Sequence, residues 1–273
     1  MATDLTRIRE KAIREPDLVF TSLYHHIYDV DNLRACYDAL AARKATGVDG
    51  VTKAEYGKNL EENLQELSSR LRRMGYRPAP KRRSYIPKPG SAKGRPLGIS
   101  DFEDKIVESA VKRTLEPIYE AVFEDSSYGY RPGRHQHECL DELGRTIQQK
   151  KISHVVEADV QSFFDRVNHE WMVKFLRHRI GDERVVRLIV RMLKSGILED
   201  GLTRATEEGT PQGSILSPLL SNYYAITDNA ERCNYFRYCA TGILFKWLNR
   251  KSQRKTYTWE QFSQVLSCWT GPV

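Results

Sequence analysis

An apolar, β-branched run, His154-Val155-Val156, leads into Glu157-Ala158-Asp159-Val160-Gln161-Ser162-Phe163-Phe164-Asp165. The run reads as a buried strand, which leaves Asp159 at the strand's end, where a carboxylate can face a cleft. Taken alone, such an acid is more often a helix cap or turn residue. Two flanking stretches alter that balance. Upstream, Ser84-Tyr85-Ile86-Pro87-Lys88 and Arg95-Pro96-Leu97-Gly98-Ile99 read as short strands of a hairpin, joined by Pro89-Gly90-Ser91-Ala92-Lys93-Gly94. Its cations flank apolar strand positions and its glycines offer backbone N–H groups to anions, a combination suited to phosphate. A solvated charge run is the plainer reading of the same residues. Downstream lies Gly209-Thr210-Pro211-Gln212-Gly213-Ser214-Ile215-Leu216-Ser217-Pro218. Between them, Ser127-Tyr128-Gly129-Tyr130-Arg131-Pro132-Gly133-Arg134 sets aromatics beside arginines. That pairing can stack bases and hold phosphates, or pack as a surface loop.

The hairpin, the Asp159 stretch and the Pro-Gln-Gly loop, in that order, resemble a reverse transcriptase of the group II intron type. The resemblance covers nearly the whole chain, and the Pro-Gln-Gly-Ser-Ile-Leu-Ser-Pro stretch is its most specific part. It implies that Asp159 is the first metal-binding aspartate of a polymerase palm, assisted by the Val160 carbonyl, with Mg²⁺ as the cofactor. It implies that Lys88 and Arg95 contact the triphosphate of an incoming nucleotide and that Gln212 lies near nucleotide and template base. Phe164 matches the family's steric gate against the ribose 2′-hydroxyl; a core aromatic is the alternative. Asp165 is expected to be structural. Tyr130 and Arg131 are expected at the template strand. Ala45-Thr46-Gly47-Val48-Asp49-Gly50-Val51 resembles the first fingers motif, or is a plain loop between helices. The implied partners are RNA, as intron or template, a DNA primer and dNTPs. Nucleotidyl transfer of this kind runs on two divalent ions about 3.5–4 Å apart.

The sequence departs from the family at one place. A Tyr-Ala-Asp-Asp-type turn carrying the other catalytic aspartates is expected after the Pro-Gln-Gly loop. After residue 213 the chain holds Asp228 as its one aspartate, in Ile226-Thr227-Asp228-Asn229, which does not resemble that turn. Instead Phe245-Lys246-Trp247-Leu248-Asn249-Arg250-Lys251-Ser252-Gln253-Arg254-Lys255 resembles the far C-terminal part of group II intron proteins, with Lys246, Arg250, Lys251 and Arg254 as RNA contacts. The expectation is an internal deletion near Asn222-Tyr223. The function implied is RNA-directed DNA synthesis, impaired in this chain. The alternatives are a non-catalytic, RNA-binding splicing cofactor of maturase type, or a truncated remnant.

The elements that must position these residues are legible in outline. Length, 273 residues, allows one large domain or two small ones, and 40% hydrophobic content excludes a disordered or membrane-like chain. Net charge is +7 and the pI near 9.1, which favours a polyanionic partner. No apolar run reaches the length of a membrane span, so a cytoplasmic location is expected. Five cysteines, none in a C-x-x-C pair, predict reduced thiols. His135 and His137 are expected in a solvated loop. Helices are predicted over residues 4–15; after Asp31 as cap, through Leu33, Tyr37 and Leu40; and over 53–73, opened by a Thr52/Glu55 capping box and carrying Leu60, Leu64, Leu67 and Leu71. Others begin at Asp101 and span 136–149, 170–180, 183–195 and Leu219 to Asn222, with a small hairpin around Asp200-Gly201. The fold class expected is α/β (α+β), and the resemblance implies helix-rich fingers over 1–135, an incomplete palm over 136–222 and a short basic tail over 223–273.

Overall fold

The structure is a computed structural model that describes residues 5–88, 91–149 and 162–226. The expected strand over Val155–Val160, with Asp159, lies outside those residues. So do Lys246, Arg250, Lys251 and Arg254.

The described residues form one compact unit of mixed helix and sheet, as the fold class anticipates. Its axis is α6, Phe102–Glu120, whose Ile106, Val107, Ala110, Val111, Leu115 and Ile118 are buried. Around it pack α1 (Leu5–Arg14), α2 (Tyr24–Tyr28), α3 (Val30–Ala39) and α4 (Lys53–Tyr56). On another side, α8 (His169–Arg179) meets α9 (Glu183–Leu193), and α10 (Ser217–Ile226) touches both α6 and α8. α7, Gln136–Gln149, falls on its predicted span but buries no side chain. No helix among the described residues is long and apolar enough to cross a membrane.

Two local details differ from the sequence reading and a third adds to it. The capping box forms as expected, Glu55 N donating to Thr52 Oγ1 at 3.2 Å and Thr52 N to Glu55 Oε2 at 2.8 Å. The helix it opens is nevertheless interrupted: α4 ends at Tyr56, a 3-10 turn covers Gly57–Asn59, and α5 runs Leu60–Arg72. The Tyr37 hydroxyl crosses at Gly57, where a Cβ would lie 2.2 Å from it. The cap of α3 is Asp29, which accepts from Asn32 N at 3.2 Å, and Asp31 sits inside the first turn. Asp101 is the N-cap residue of α6, yet its carboxylate turns to Val48 N at 2.6 Å and Asp49 N at 3.3 Å.

The sheet is four-stranded in the order β2-β1-β3-β4. β1 (Lys81–Lys88) and β2 (Ser91–Ile99) are longer than predicted. Their antiparallel register pairs Arg83 with Gly98 and Ile86 with Arg95, and it shifts around Pro87, a residue with no N–H for the ladder. β3 (Ile197–Glu199) and β4 (Leu202–Arg204) form the predicted small hairpin. The unforeseen link is parallel: β1 pairs with β3 through Lys81 with Ile197 and Arg82 with Leu198. Position 222, the expected end of the partial palm, falls inside α10. Tyr223 is buried there, stacked on Tyr119 at 3.9 Å and donating to Phe175 O at 2.8 Å.

Candidate nucleotide and nucleic-acid interface

The Gly209–Ser217 loop is fastened at both ends. At its start, Gly209 N donates to Val167 O at 2.8 Å and Thr210 N to Phe164 O at 2.7 Å. This fixes the loop on the 3-10 turn Phe163–Arg166. Gly209 has a φ of +84°, and a Cβ there would stand 2.8 Å from Phe164 O, so only glycine allows the approach. His169 Nε2 is 2.7 Å from Gly209 O, and because a carbonyl only accepts, that nitrogen is the donor. At its middle, Gln212 O accepts from Gly98 N at 2.7 Å, which closes the outer edge of β2 against the loop. Gly213, at φ +104°, would carry a Cβ only 3.0 Å from Gly98 O.

Beneath the loop lies a buried polar group. Glu108 on α6, 1% exposed, accepts from Ile215 N at 2.9 Å and from Ser100 Oγ at 2.9 Å. The Lys81 ammonium is ion-paired with the same carboxylate and donates to Ser100 Oγ at 2.7 Å. Burial alone would push the Glu108 carboxyl up; the Lys81 charge and the hydrogen bonds outweigh it and hold it below the usual range. One turn earlier, Asp104 accepts from Ala79 N at 3.0 Å and from the Tyr76 hydroxyl, and burial raises it to about 7. None of Lys81, Ser100, Asp104 or Glu108 stood out in the sequence as a functional residue. The signal was two acids at i and i+4 among the apolar positions of one helix.

The Ala45–Val51 loop is bound to the same strand root. Arg82 donates to Thr46 O at 2.7 and 3.0 Å and to Gly47 O at 3.2 Å, and Lys105 Nζ to Ala45 O at 2.6 Å. A Cβ at Gly47 would fall 2.1 Å from Asp101 Oδ1, so loop and α6 N-terminus meet at a glycine.

The structure brings three of the expected nucleotide residues onto connected elements: Arg95, exposed on β2; Gln212, half-buried on the loop; and Phe164, half-buried on the turn. The Phe164 ring lies edge-on to Phe163 at 5.6 Å. Lys88 belongs to β1 by its backbone, opposite Ser91. Asp165 is exposed. Tyr130 and Arg131 lie on a different segment, the loop between α6 and α7, where Asn222 of α10 donates to Gly129 O at 2.5 Å. Tyr130 is 69% exposed at φ +56°. Arg131 turns inward, donating to Glu120 at 3.1 Å, Glu124 O at 2.7 Å and Ser127 O at 2.9 Å, above the Phe123 ring. Tyr128, Tyr130, Arg134, His135, His137 and Leu140 line an open groove at this loop. Among the described residues no cluster of three or more His, Cys, Asp or Glu side chains is placed to hold a metal ion.

Residues 86–238 match the family described as reverse transcriptase (RNA-dependent DNA polymerase), and the chain belongs to that family. Its relatives within the family include a group II intron-encoded protein. Over 220 residues the chain is 38% identical to the group II intron-encoded protein LtrA of Lactococcus lactis subsp. cremoris, a match covering 81% of this chain and 36% of LtrA. It is 42% identical over 183 residues to protein YkfC of Escherichia coli (strain K12), covering 64% of this chain and 47% of YkfC. The chain therefore spans between a third and a half of the length of these relatives. A chain of a partial Cas6-RT-Cas1–Cas2 complex aligns with 73% of it and 33% of itself, at TM-score 0.49 and 27% identity.

Proposed function

We propose that this chain binds RNA and docks a deoxynucleoside triphosphate in a reverse-transcriptase cleft, without efficient nucleotidyl transfer of its own. The observation that carries the docking half is the interlock of flap, loop and turn: Gly98 N on Gln212 O at 2.7 Å and Thr210 N on Phe164 O at 2.7 Å. It draws together the elements that bear Arg95, Gln212 and Phe164. In this reading Arg95 and Lys88 meet the phosphates, Arg as a bidentate fork and Lys as a point charge. Gln212 faces base and template, Phe164 screens the sugar 2′-position, and Tyr130 offers a stacking face, with Arg131 holding its loop. Lys246, Arg250, Lys251 and Arg254 add phosphate contacts to RNA. The setting is the cytoplasm.

The impaired half rests on the carboxylates. Mg²⁺ takes oxygen ligands, which Asp159 and the Val160 carbonyl would supply. The described residues provide no further acidic cluster, and the sequence after residue 213 holds no Asp-Asp pair. Losing one electrostatic group at a developing charge costs on the order of 10²–10³ in rate, and losing most of a metal cage should cost more. The test is primer extension on an RNA template with Mg²⁺ and dNTPs, set beside Asp159→Ala and beside direct binding of a fluorescent dNTP. Binding without extension above the Asp159→Ala background is expected. Extension that vanishes in Asp159→Ala would overturn the impairment, and no dNTP binding at millimolar concentration would overturn docking.

The maturase-type reading, RNA binding without polymerisation, is favoured by the same gap in carboxylates together with the +7 net charge. It shares the RNA half of the proposal and omits the nucleotide.

A further inference from the structure

We infer that Glu108, clamped by Lys81 and Ser100, is the positioning residue that sets the Pro-Gln-Gly loop in register against the β1/β2 flap. The loop hangs between two anchors of different kind. Its first anchor is backbone on backbone, Gly209 and Thr210 on Val167 and Phe164. Its second is the Glu108 carboxylate, whose Oε2 takes Ile215 N at 2.9 Å. Gln212 and Gly213 lie between the anchors, so their placement depends on both.

The second anchor is tied back to the flap. Lys81 begins β1, and its side chain occupies the other oxygen of Glu108. A Cβ on Gly98 would meet Lys81 Cβ at 3.3 Å and Pro211 Cβ at 3.3 Å, so strand and loop already touch there. The circuit is closed: Lys81 to Glu108, Glu108 to Ile215 N, along the loop to Gln212 O, across to Gly98 N, and through the Arg83–Gly98 pair back to β1. Shifting the loop by one residue would break Ile215 N from its acceptor and Gly98 N from Gln212 at once.

Stability alone is a weak reason for ions at this place. Both side chains are almost wholly buried, at 4% and 2% exposure. Desolvating such a pair costs about as much as its attraction returns, and well-packed apolar replacements are often neutral or stabilising. What an apolar pair lacks is direction. A carboxylate with acceptors aimed at an ammonium, a hydroxyl and one backbone N–H admits a single arrangement. The consequence for ligand binding rests on the nucleotide-docking proposal; the register claim does not.

The experiment compares the whole chain with Lys81→Met/Glu108→Leu, which fills the same space, by residue-resolved amide hydrogen exchange, thermal melting and fluorescent-dNTP binding. With the melt kept, Ile215 and Gly98 amides should exchange on the order of tenfold faster or more, while Thr210, held by the first anchor, keeps its protection. Unchanged protection at Gly98 overturns the inference, because the loop is then placed without Glu108. If the double variant does not fold, Glu108→Gln takes its place: its NH₂ is a donor where the carboxylate had an acceptor, so it cannot hold Lys81 and Ile215 N on two separate oxygens, and Gly98 should still exchange faster. Failure of the wild-type chain to bind dNTP, with the exchange pattern as expected, overturns nucleotide docking and leaves the clamp supported.

Discussion

At the scale of single residues, Asp104 and Glu108 show opposite titration behaviour one turn apart. Burial lifts Asp104 from 3.8 to about 7, while Lys81 and the hydrogen bonds bring Glu108 down. For Asp104 the folded value exceeds the unfolded one, so its stabilising contribution is full below about pH 4 and is lost as pH rises toward 7. Glu108 has the reverse sign and loses its contribution as pH falls through its depressed value. Asp104→Asn mimics the neutral acid: the amide oxygen accepts from Ala79 N and the NH₂ donates to the Tyr76 oxygen. Measured by urea unfolding, wild type should lose about 2–3 kcal/mol relative to Asp104→Asn between pH 5 and pH 8. An equal difference at both values would mean that Asp104 does not titrate there. Residues like these are the least legible in a sequence. In the sequence Asp104 is one acid among the residues that open a helix, because nothing local says that Tyr76 and Ala79 will cover it.

At the scale of elements, local chemistry wrote most of what the sequence could reveal. The Thr52 capping box, the leucine stripe of α5, the span of α7 and the Asp200-Gly201 hairpin all follow from neighbours within a few residues. The break at Gly57 does not, since it answers to Tyr37 on another helix. The Pro-Gln-Gly stretch was legible as a specific loop, but its seat on Gly98 and Phe164 was not, for the same reason. Two glycines separate these effects experimentally. Gly201 and Gly213 both have positive φ, +77° and +104°, but a Cβ at Gly201 meets nothing within 4 Å, whereas one at Gly213 lies 3.0 Å from Gly98 O. Gly201→Ala should cost about 1 kcal/mol through its backbone conformation. Gly213→Ala should cost more, within roughly 1–3 kcal/mol, and should speed exchange of the Gly98 amide. Equal destabilisation of the two variants, with Gly98 undisturbed, would show that the loop does not press on the strand.

At the scale of the whole molecule, charge predicts behaviour that no single side chain does. With a net +7, binding to structured RNA should weaken steeply with salt, because bound phosphates release counterions. Replacing Lys246, Arg250, Lys251 and Arg254 by Ala should flatten the log–log salt slope by up to about 3.6, at roughly 0.7–0.9 for each phosphate no longer neutralised. An unchanged slope and affinity would remove those four residues from the RNA interface. The family was legible across the chain because its motifs are contiguous stretches. The parallel pairing of β1 with β3 was not, because it joins Lys81 to Ile197 across more than a hundred residues. That pairing also sets an order of events during synthesis. A nascent chain that has made the β1/β2 ribbon still lacks the strand that will lie beside it, and an isolated two-stranded ribbon is marginal in water. Until Ile197 leaves the ribosome, the inner edge of β1 is a bare row of N–H and C=O groups, open to any passing strand. The helices α1 to α4 can gather on α6 early, from near neighbours, whereas the sheet must wait for later sequence, so the flap is expected to acquire its native neighbours after them.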